Sequence, residues 1–235
     1  MNQAVQLYAH FQRSSGISTD TRSIKKGNLY FALKGDNFDG NKYAQQAIDS
    51  GAVVAVVDNP GLVENDSFFL VNDVLEALQG LATYHRQQLG IPIIGLTGSN
   101  GKTTTKELIR EVLKTNFNVS ATEGNFNNHI GVPLTLLSMN EQTEVGVVEM
   151  GANHIGEIAT LCKIAQPTHG LITNIGKAHL EGFGSYEGVL RAKSELYHYL
   201  IKSDGQIFAN SEDHVLVNMT KRAKNTLFYN SSADF

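Results

Sequence analysis

Apolar residues fall into two patterns along this chain: short unbroken runs, and longer stretches where they recur every three or four positions. The runs LYFAL (29–33), AVVAVV (52–57) and FFLV (68–71) read as buried strands. Residues 41–50, between the first two, read as a helix closed by Gly51. In 73–89, the positions Val74, Leu75, Leu78, Leu81, Ala82 and Leu89 follow a helical spacing, with Asn72 as N-cap and Gly90 as the stop. Pro92 opens the next strand, so the boundary between two domains is predicted near residue 90.

From residue 91 the pattern alternates strand and helix. Strands are predicted at 92–97, 145–150, 170–175, 206–210 and 226–229, with a weaker one at 117–121. Helices are predicted at 103–115, 132–139, 154–165, 186–201 and 212–222. The predicted fold class is α/β: a small N-terminal α/β domain (1–90), then a mostly parallel sheet with helices on both faces (91–235). In such sheets ligands collect at the C-terminal ends of the strands. The loops after residues 97, 121, 150 and 175 are therefore predicted to meet at one site.

Composition narrows the function classes. With 235 residues and a formal net charge of −4, the chain has material for a real core and no general affinity for nucleic acid or anionic membranes. No apolar run approaches a membrane span, and MNQAVQLYAHFQ lacks the pattern of a signal peptide. A lone cysteine, Cys162, excludes an intrachain disulfide and reads as core filler beside Ile158, Leu161 and Ala165. These features predict a cytoplasmic protein, and the chain is expected to be monomeric.

The richest stretch is GLTGSNGKTT (95–104), placed between a buried strand and an amphipathic helix. Backbone N–H groups in such a turn, with the helix N-terminus, cradle phosphate oxygens. Gly98, Ser99, Asn100, Gly101, Lys102, Thr103 and Thr104 are the candidate nucleotide-binding residues, Lys102 reaching the terminal phosphates and the Thr103 hydroxyl ligating Mg²⁺. The usual pattern has a glycine five residues before the Gly-Lys pair. Here Leu96 stands there and the glycines are at 95 and 98.

Three further motifs fall on the predicted site loops. In VVEMGANHIGE, Glu149 closes an apolar run and is placed to hold Mg²⁺; a strand-end charge is the alternative. In ITNIGKAHLEGFGS, His179 reads equally as a ligand or as a structural histidine. In EGVLRAKSELY, the pattern alone makes Lys193 a solvated helix lysine, and Glu187–Arg191 is a helix-supporting pair.

In order along the chain, ISTDTR, LYFALKGDNFDG, TGSNGKTTTK, TEGNFNNHIGVPLTLL, VVEMGANHIGEI, TNIGKAHLEGFGS, RAKSELY and FANSEDH together resemble the Mur ligase family. NFNNHIGVP and EMGAN favour the branch that adds D-alanyl-D-alanine to a UDP-N-acetylmuramoyl tripeptide over those adding alanine, glutamate or a diamino acid. The resemblance implies ATP-dependent amide formation in peptidoglycan precursor synthesis. The substrate carboxylate attacks the γ-phosphate, and the dipeptide amine then displaces phosphate from the acyl phosphate. It implies two Mg²⁺ sites and a CO₂-derived carbamate on Lys193, which joins Glu149 and His179 at the second site; Lys102, Glu149, His179 and Lys193 are then the catalytic set. Asn210 and Asp213 match nucleoside contacts, although Ser211 and Glu212 replace the commoner Ala-Asp pair.

The same resemblance places the UDP end of the substrate on the N-terminal domain, at Thr21, Arg22, Lys34, Asp39 and Gly40. Cations at Arg22 and Lys34 suit a diphosphate, and solvated surface charge is the alternative. Asn125, Asn127 and Asn128 suit the junction of nucleotide and peptide; a polar turn is the other reading. Members of the family continue past this point, so the chain is expected to be a fragment without the C-terminal domain, with little or no turnover by itself. Two other classes stay open: a P-loop kinase or simple NTPase, and a non-catalytic fragment that binds the UDP-linked substrate. ISTDTR and the N-terminal domain argue against the related folate polyglutamylation enzyme.

Overall fold

The computed structural model describes residues 3–176 and 183–231. The chain divides into two compact units between Gln88 and Leu89. The first contains α1 (Gln3–Arg13), β1 (Ile17–Ser18), β2 (Leu29–Phe31), β3 (Lys34–Gly35), β4 (Phe38–Asp39), α2 (Ala44–Asp49), β5 (Val54–Val57), β6 (Phe68–Leu70) and α3 (Val74–Leu89). Strands β1-β2-β5-β6 form a parallel sheet, and β3 and β4 pair as a small antiparallel hairpin. Tyr30, Ala32, Ala44, Ala47, Ala55, Val57 and Phe68 share one buried cluster.

Strands β1, β3 and β4 are not among the predicted elements, and three further details of this unit depart from the pattern-based expectation. Helix α1 is not among the predicted elements, although Ala4, Leu7, Tyr8 and Phe11 fall at helical spacing; Leu7 is buried, and the aromatic contacts Tyr8–Tyr84 and Phe11–His85 join the helix to α3. The predicted helix at 41–50 begins as a tight turn over Gly40–Tyr43, because the Asp39 carboxylate accepts the Asn41 N–H and caps that turn. Asp73, not Asn72, caps α3 by accepting the Glu76 N–H.

The second unit contains β7 (Ile93–Thr97), α4 (Lys102–Leu113), β8 (Val119–Ala121), α5 (Gly131–Leu137), β9 (Val145–Glu149), α6 (Glu157–Ala165), β10 (His169–Ile172), α7 (Tyr186–Lys202), β11 (Gln206–Asn210), α8 (His214–Met219) and β12 (Thr226–Tyr229). Among the described residues its six strands run parallel in the order β12-β11-β10-β7-β9-β8. The α/β class with mostly parallel sheets is thus the observed fold. Helix α6 starts later than predicted because Gly156 takes a left-handed conformation just before it. Helix α8 is shorter than predicted, starting after Asp213, whose carboxylate accepts the Val215 and Leu216 N–H groups.

The two faces of this sheet are built differently. On one, Ile94, Leu96, Val147, Leu171 and Phe208 pack with Ile109 and Leu113 of α4. On the other, Gly95 and Gly170 are paired across adjacent strands and lie under Leu196 and Leu200 of α7. Both leucines are fully buried. Burial of each contributes about 1.5–3 kcal/mol. Gly95 is therefore a strand residue that lets α7 approach, which explains why it is out of step with a phosphate-loop pattern.

Close approach also fixes Gly131 at the start of α5, where a Cβ would collide with the Phe126 backbone. By contrast, a Cβ on Gly80 in α3 meets nothing within 4 Å. Gly131→Ala is expected to destabilise by about 1–3 kcal/mol, and Gly80→Ala to stabilise by about 0.5–1 kcal/mol. Denaturant melts of the two variants against the unchanged chain check both signs.

Candidate functional site

The phosphate-type loop follows β7 directly. Gly98 has φ +151°, and any Cβ there would collide with the Thr173 hydroxyl. The loop is clamped to the segment after β10. Ser99 and Asn100 donate their N–H groups to the Asn174 carbonyl and side-chain oxygen at 3.0 and 3.1 Å. The Thr173 hydroxyl donates to the Asn100 carbonyl at 2.7 Å, and the Gly176 N–H donates to Ser99 Oγ at 2.8 Å. The loop pattern directs the Ser99 and Asn100 amides at a phosphate; in the structure they face Asn174 instead. The first turn of α4, from Lys102 to Thr104, has N–H groups with no intrahelical acceptor, as every helix start does. Lys102 folds back, its Nζ donating to the Gly98 carbonyl at 3.0 Å.

Glu149 closes β9 and is 1% exposed. Each carboxylate oxygen has a donor: the Thr103 hydroxyl on Oε2 at 3.1 Å and Asn127 Nδ2 on Oε1 at 2.8 Å. Its own N–H donates to the Thr122 hydroxyl at 3.0 Å. Thus Thr103, from the phosphate-type loop, and Glu149, from the neighbouring strand end, meet as the sequence spacing implied. A hydroxyl and a carboxylate are the hard oxygen ligands Mg²⁺ takes when phosphates complete its shell, so these residues fit that cation. Among the described residues no group of three or more His, Cys, Asp or Glu side chains could hold a metal. His179 lies outside the described residues.

The three asparagines after β8 have separate surroundings. Asn127 holds Glu149, and Asn128 accepts the Ile130 and Gly131 N–H groups at 3.1 and 2.8 Å, capping the start of α5. Asn125 is exposed. All three line a cleft of about 520 Å³ together with Lys102, Asn153 and Glu157. Burial pushes the Glu157 carboxyl up, but hydrogen bonds from the Asn153 and His154 N–H groups and the His154 ring outweigh it, so its net shift is down.

Lys193 is not a solvated helix lysine. It is 1% exposed, with Nζ 5.5 Å from the centre of the Phe183 ring. Burial pushes its pKa down to about 8; the Lys102 charge acts in the same direction, against Glu157 and Glu195. Two residues from it, Glu195 accepts the Gly156 and Ala159 N–H groups at 2.6 and 2.8 Å and so anchors the start of α6. Cys162 is fully buried, its thiol pushed up to about 12 by burial, in keeping with a filler role.

Asn210 ends β11, in the same sheet as β7, and its side-chain oxygen accepts the Glu212 N–H; Asp213 caps α8. In the first unit, Thr21, Arg22, Lys34 and Asp39 all follow C-terminal ends of β1 or β2. Arg22, 88% exposed, forks onto Asp20, and Lys34 pairs with Asp58 at 2.7 Å. Asp39 holds Asn41, and Gly40 is buried against the backbone of Ala32, so both have structural roles of their own.

A sequence profile described as the Mur ligase middle domain matches residues 96–234, which include the phosphate-type loop, Glu149 and Lys193. The chain belongs to the Mur ligase family. A second profile, the Mur ligase family catalytic domain, matches residues 13–93. A UDP-N-acetylmuramoyl-tripeptide–D-alanyl-D-alanine ligase from Bacillus subtilis is 46% identical over 86% of this chain and 45% of its own length. The ligase of that name from Escherichia coli is 40% identical over 86% of this chain and 44% of its own. The crystal structure of MurF from Thermotoga maritima in complex with ADP superimposes with a TM-score of 0.84 at 33% identity, covering 95% of this chain and 52% of that one. A MurF crystal structure from Acinetobacter baumannii gives 0.84 at 35% identity, over 97% and 52%. The chain spans about half the length of the curated relatives it matches. Among the described residues no helix is long and apolar enough to cross a membrane.

Sequence reasoning named Thr103 and Glu149, which the structure brings into contact, and missed the residues that support them. Asn174, Thr122 and the capping role of Glu195 had no local signature, since each acts across more than twenty residues of sequence. Glu195→Ala leaves two backbone donors of α6 without their carboxylate. It is expected to destabilise by about 1–2 kcal/mol, with Glu195→Gln losing less because it keeps an acceptor; thermal melts of both variants check the order.

Proposed function

We propose that this chain is the substrate- and nucleotide-binding part of an ATP-dependent ligase that joins D-alanyl-D-alanine to a UDP-N-acetylmuramoyl tripeptide in cytoplasmic peptidoglycan precursor synthesis. The observation that carries this reading is the Thr103–Glu149 contact beside the phosphate-type loop, in a chain 46% identical to a relative of that name. The Thermotoga neighbour is a complex with ADP, which supports adenine nucleotide as the ligand.

Each residue then has a physical task. The amides of the first turn of α4 donate to phosphate oxygens, and Lys102 leaves the Gly98 carbonyl to neutralise the terminal phosphates. Thr103 and Glu149 hold Mg²⁺, which offsets the charge of two anions brought together. Asn210 and Asp213 serve the nucleoside. Lys193, with its lowered pKa, offers the neutral amine from which a carbamate forms, and with His179 and Glu149 it makes the second metal site. The cleft lined by Asn125, Asn127 and Asn128 takes the peptide junction. Thr21, Arg22, Lys34, Asp39 and Gly40 serve the UDP end, Arg22 and Lys34 exchanging Asp20 and Asp58 for the diphosphate.

Titration calorimetry tests the reading on this chain. MgADP and the UDP-muramoyl tripeptide are both expected to bind. Lys102→Ala is expected to weaken MgADP by at least about tenfold, or ~1.4 kcal/mol, and to leave the UDP ligand unaffected. Metal-dependent ATP hydrolysis with no binding of the UDP ligand points instead to a simple NTPase. ¹³C-labelled bicarbonate is expected to label Lys193 as a carbamate, and the signal is expected to vanish in Lys193→Arg.

A further inference from the structure

Helix α4 carries a fully buried residue one turn beyond Thr103. Lys106 lies three positions further on, on the same face of the helix, and is 0% exposed. Its Nζ donates to the Thr122 carbonyl at 2.5 Å and pairs with Glu107 Oε1 at 3.0 Å. Taking an ammonium out of water is unfavourable, and an apolar side chain packs in such a place at less cost. A buried lysine therefore points to what its bond fixes rather than to stability.

What it fixes is the start of the loop that reaches Glu149. Thr122 follows β8 immediately and is held at three atoms. Its N–H donates to the Val147 carbonyl at 2.9 Å, its hydroxyl accepts the Glu149 N–H at 3.0 Å, and its carbonyl accepts Lys106. Five residues later Asn127 donates to Glu149 Oε1, and its carbonyl accepts the Gly151 N–H at 2.8 Å. A closed circuit results: α4 grips Glu149 directly through Thr103 and indirectly through Lys106, Thr122 and Asn127.

We propose that Lys106 is a positioning residue for Glu149: by holding the Thr122 carbonyl it places Asn127 against the carboxylate and so sets the orientation in which a divalent cation is received. This inference rests on reading Thr103 and Glu149 as the magnesium pair. Partners that orient a metal ligand typically change metal affinity by about 10–100-fold when removed.

The test measures ADP binding to the whole chain with Mg²⁺ and with EDTA, and amide hydrogen exchange over residues 122–130. Lys106→Met is expected to cut the Mg²⁺-dependent gain in ADP affinity by about tenfold or more, to leave binding in EDTA within about twofold, and to speed exchange in the loop. Asn127→Ala, a change in a half-exposed loop that keeps the fold, is expected to reproduce the Mg²⁺ effect, and the double variant to add little further loss. Unchanged Mg²⁺ dependence in Asn127→Ala overturns the proposal even if Lys106→Met does not fold. So does a folded Lys106→Met variant that loses affinity equally with and without Mg²⁺, since that marks a purely structural lysine. Failure of the unsubstituted chain to bind MgADP overturns the underlying nucleotide reading, and the unsubstituted arm shows this separately.

Discussion

A carboxylate withdrawn from water needs donors from the protein, and Glu149 obtains its support from two chain segments at once. The Thr103 hydroxyl comes from the first turn of α4, the Asn127 amide from the loop after β8, and the Thr122 hydroxyl holds the backbone beneath. Since those segments follow the neighbouring strands β7 and β8, the carboxylate is satisfied only when both flanking strands are in register with β9. The parallel sheet and the site are therefore one structure. Register decides whether the oxygens of Glu149 are paired, and the paired oxygens keep the phosphate-type loop beside the strand end.

The opposite face of the sheet supplies rigidity from a different source. Gly95 and Gly170 give no side chain to the core, so Leu196 and Leu200 descend onto the strands themselves. That close seat of α7 places Lys193, three residues before Leu196, in buried surroundings with Phe183. Its lowered pKa is a consequence of this packing, with the Lys102 charge adding to it. Glu195, beside it on the helix, reaches across to the start of α6 and carries the wall of the Asn153–Glu157 cleft. One helix thus sets a basic group and a loop anchor in the same turn.

Several residues expected at the site already have partners within the chain. Lys102 rests on the Gly98 carbonyl, Lys34 on Asp58 and Arg22 on Asp20. Each cation has a partner within the chain that holds its head group in place. Asn128 and Asp213 are bound to helix starts, and Gly40 to the strand beside it. For these residues the family resemblance and the local structure give different accounts of why they stand where they do, and the structural account is sufficient for Gly40.

The amino-acid sequence alone determined strands β2 and β5 to β12, the alternation that makes the larger sheet parallel, the turn at 98–101 and the placing of Glu149 at a strand end. Those features follow from short-range periodicity and from glycines that tolerate positive φ. Helix α1 escaped although Ala4, Leu7, Tyr8 and Phe11 form a helical stripe; what that stripe packs on, Tyr84 and His85 of α3, lies more than seventy residues along the chain. Lys106 has the local pattern of an ordinary helix lysine, Asn127 cannot be told from Asn128 by its neighbours, and Gly95 resembles a misplaced loop glycine. Only the tertiary structure decided these, because a donor's acceptor and a glycine's neighbour are set by segments many residues away that meet when the sheet closes.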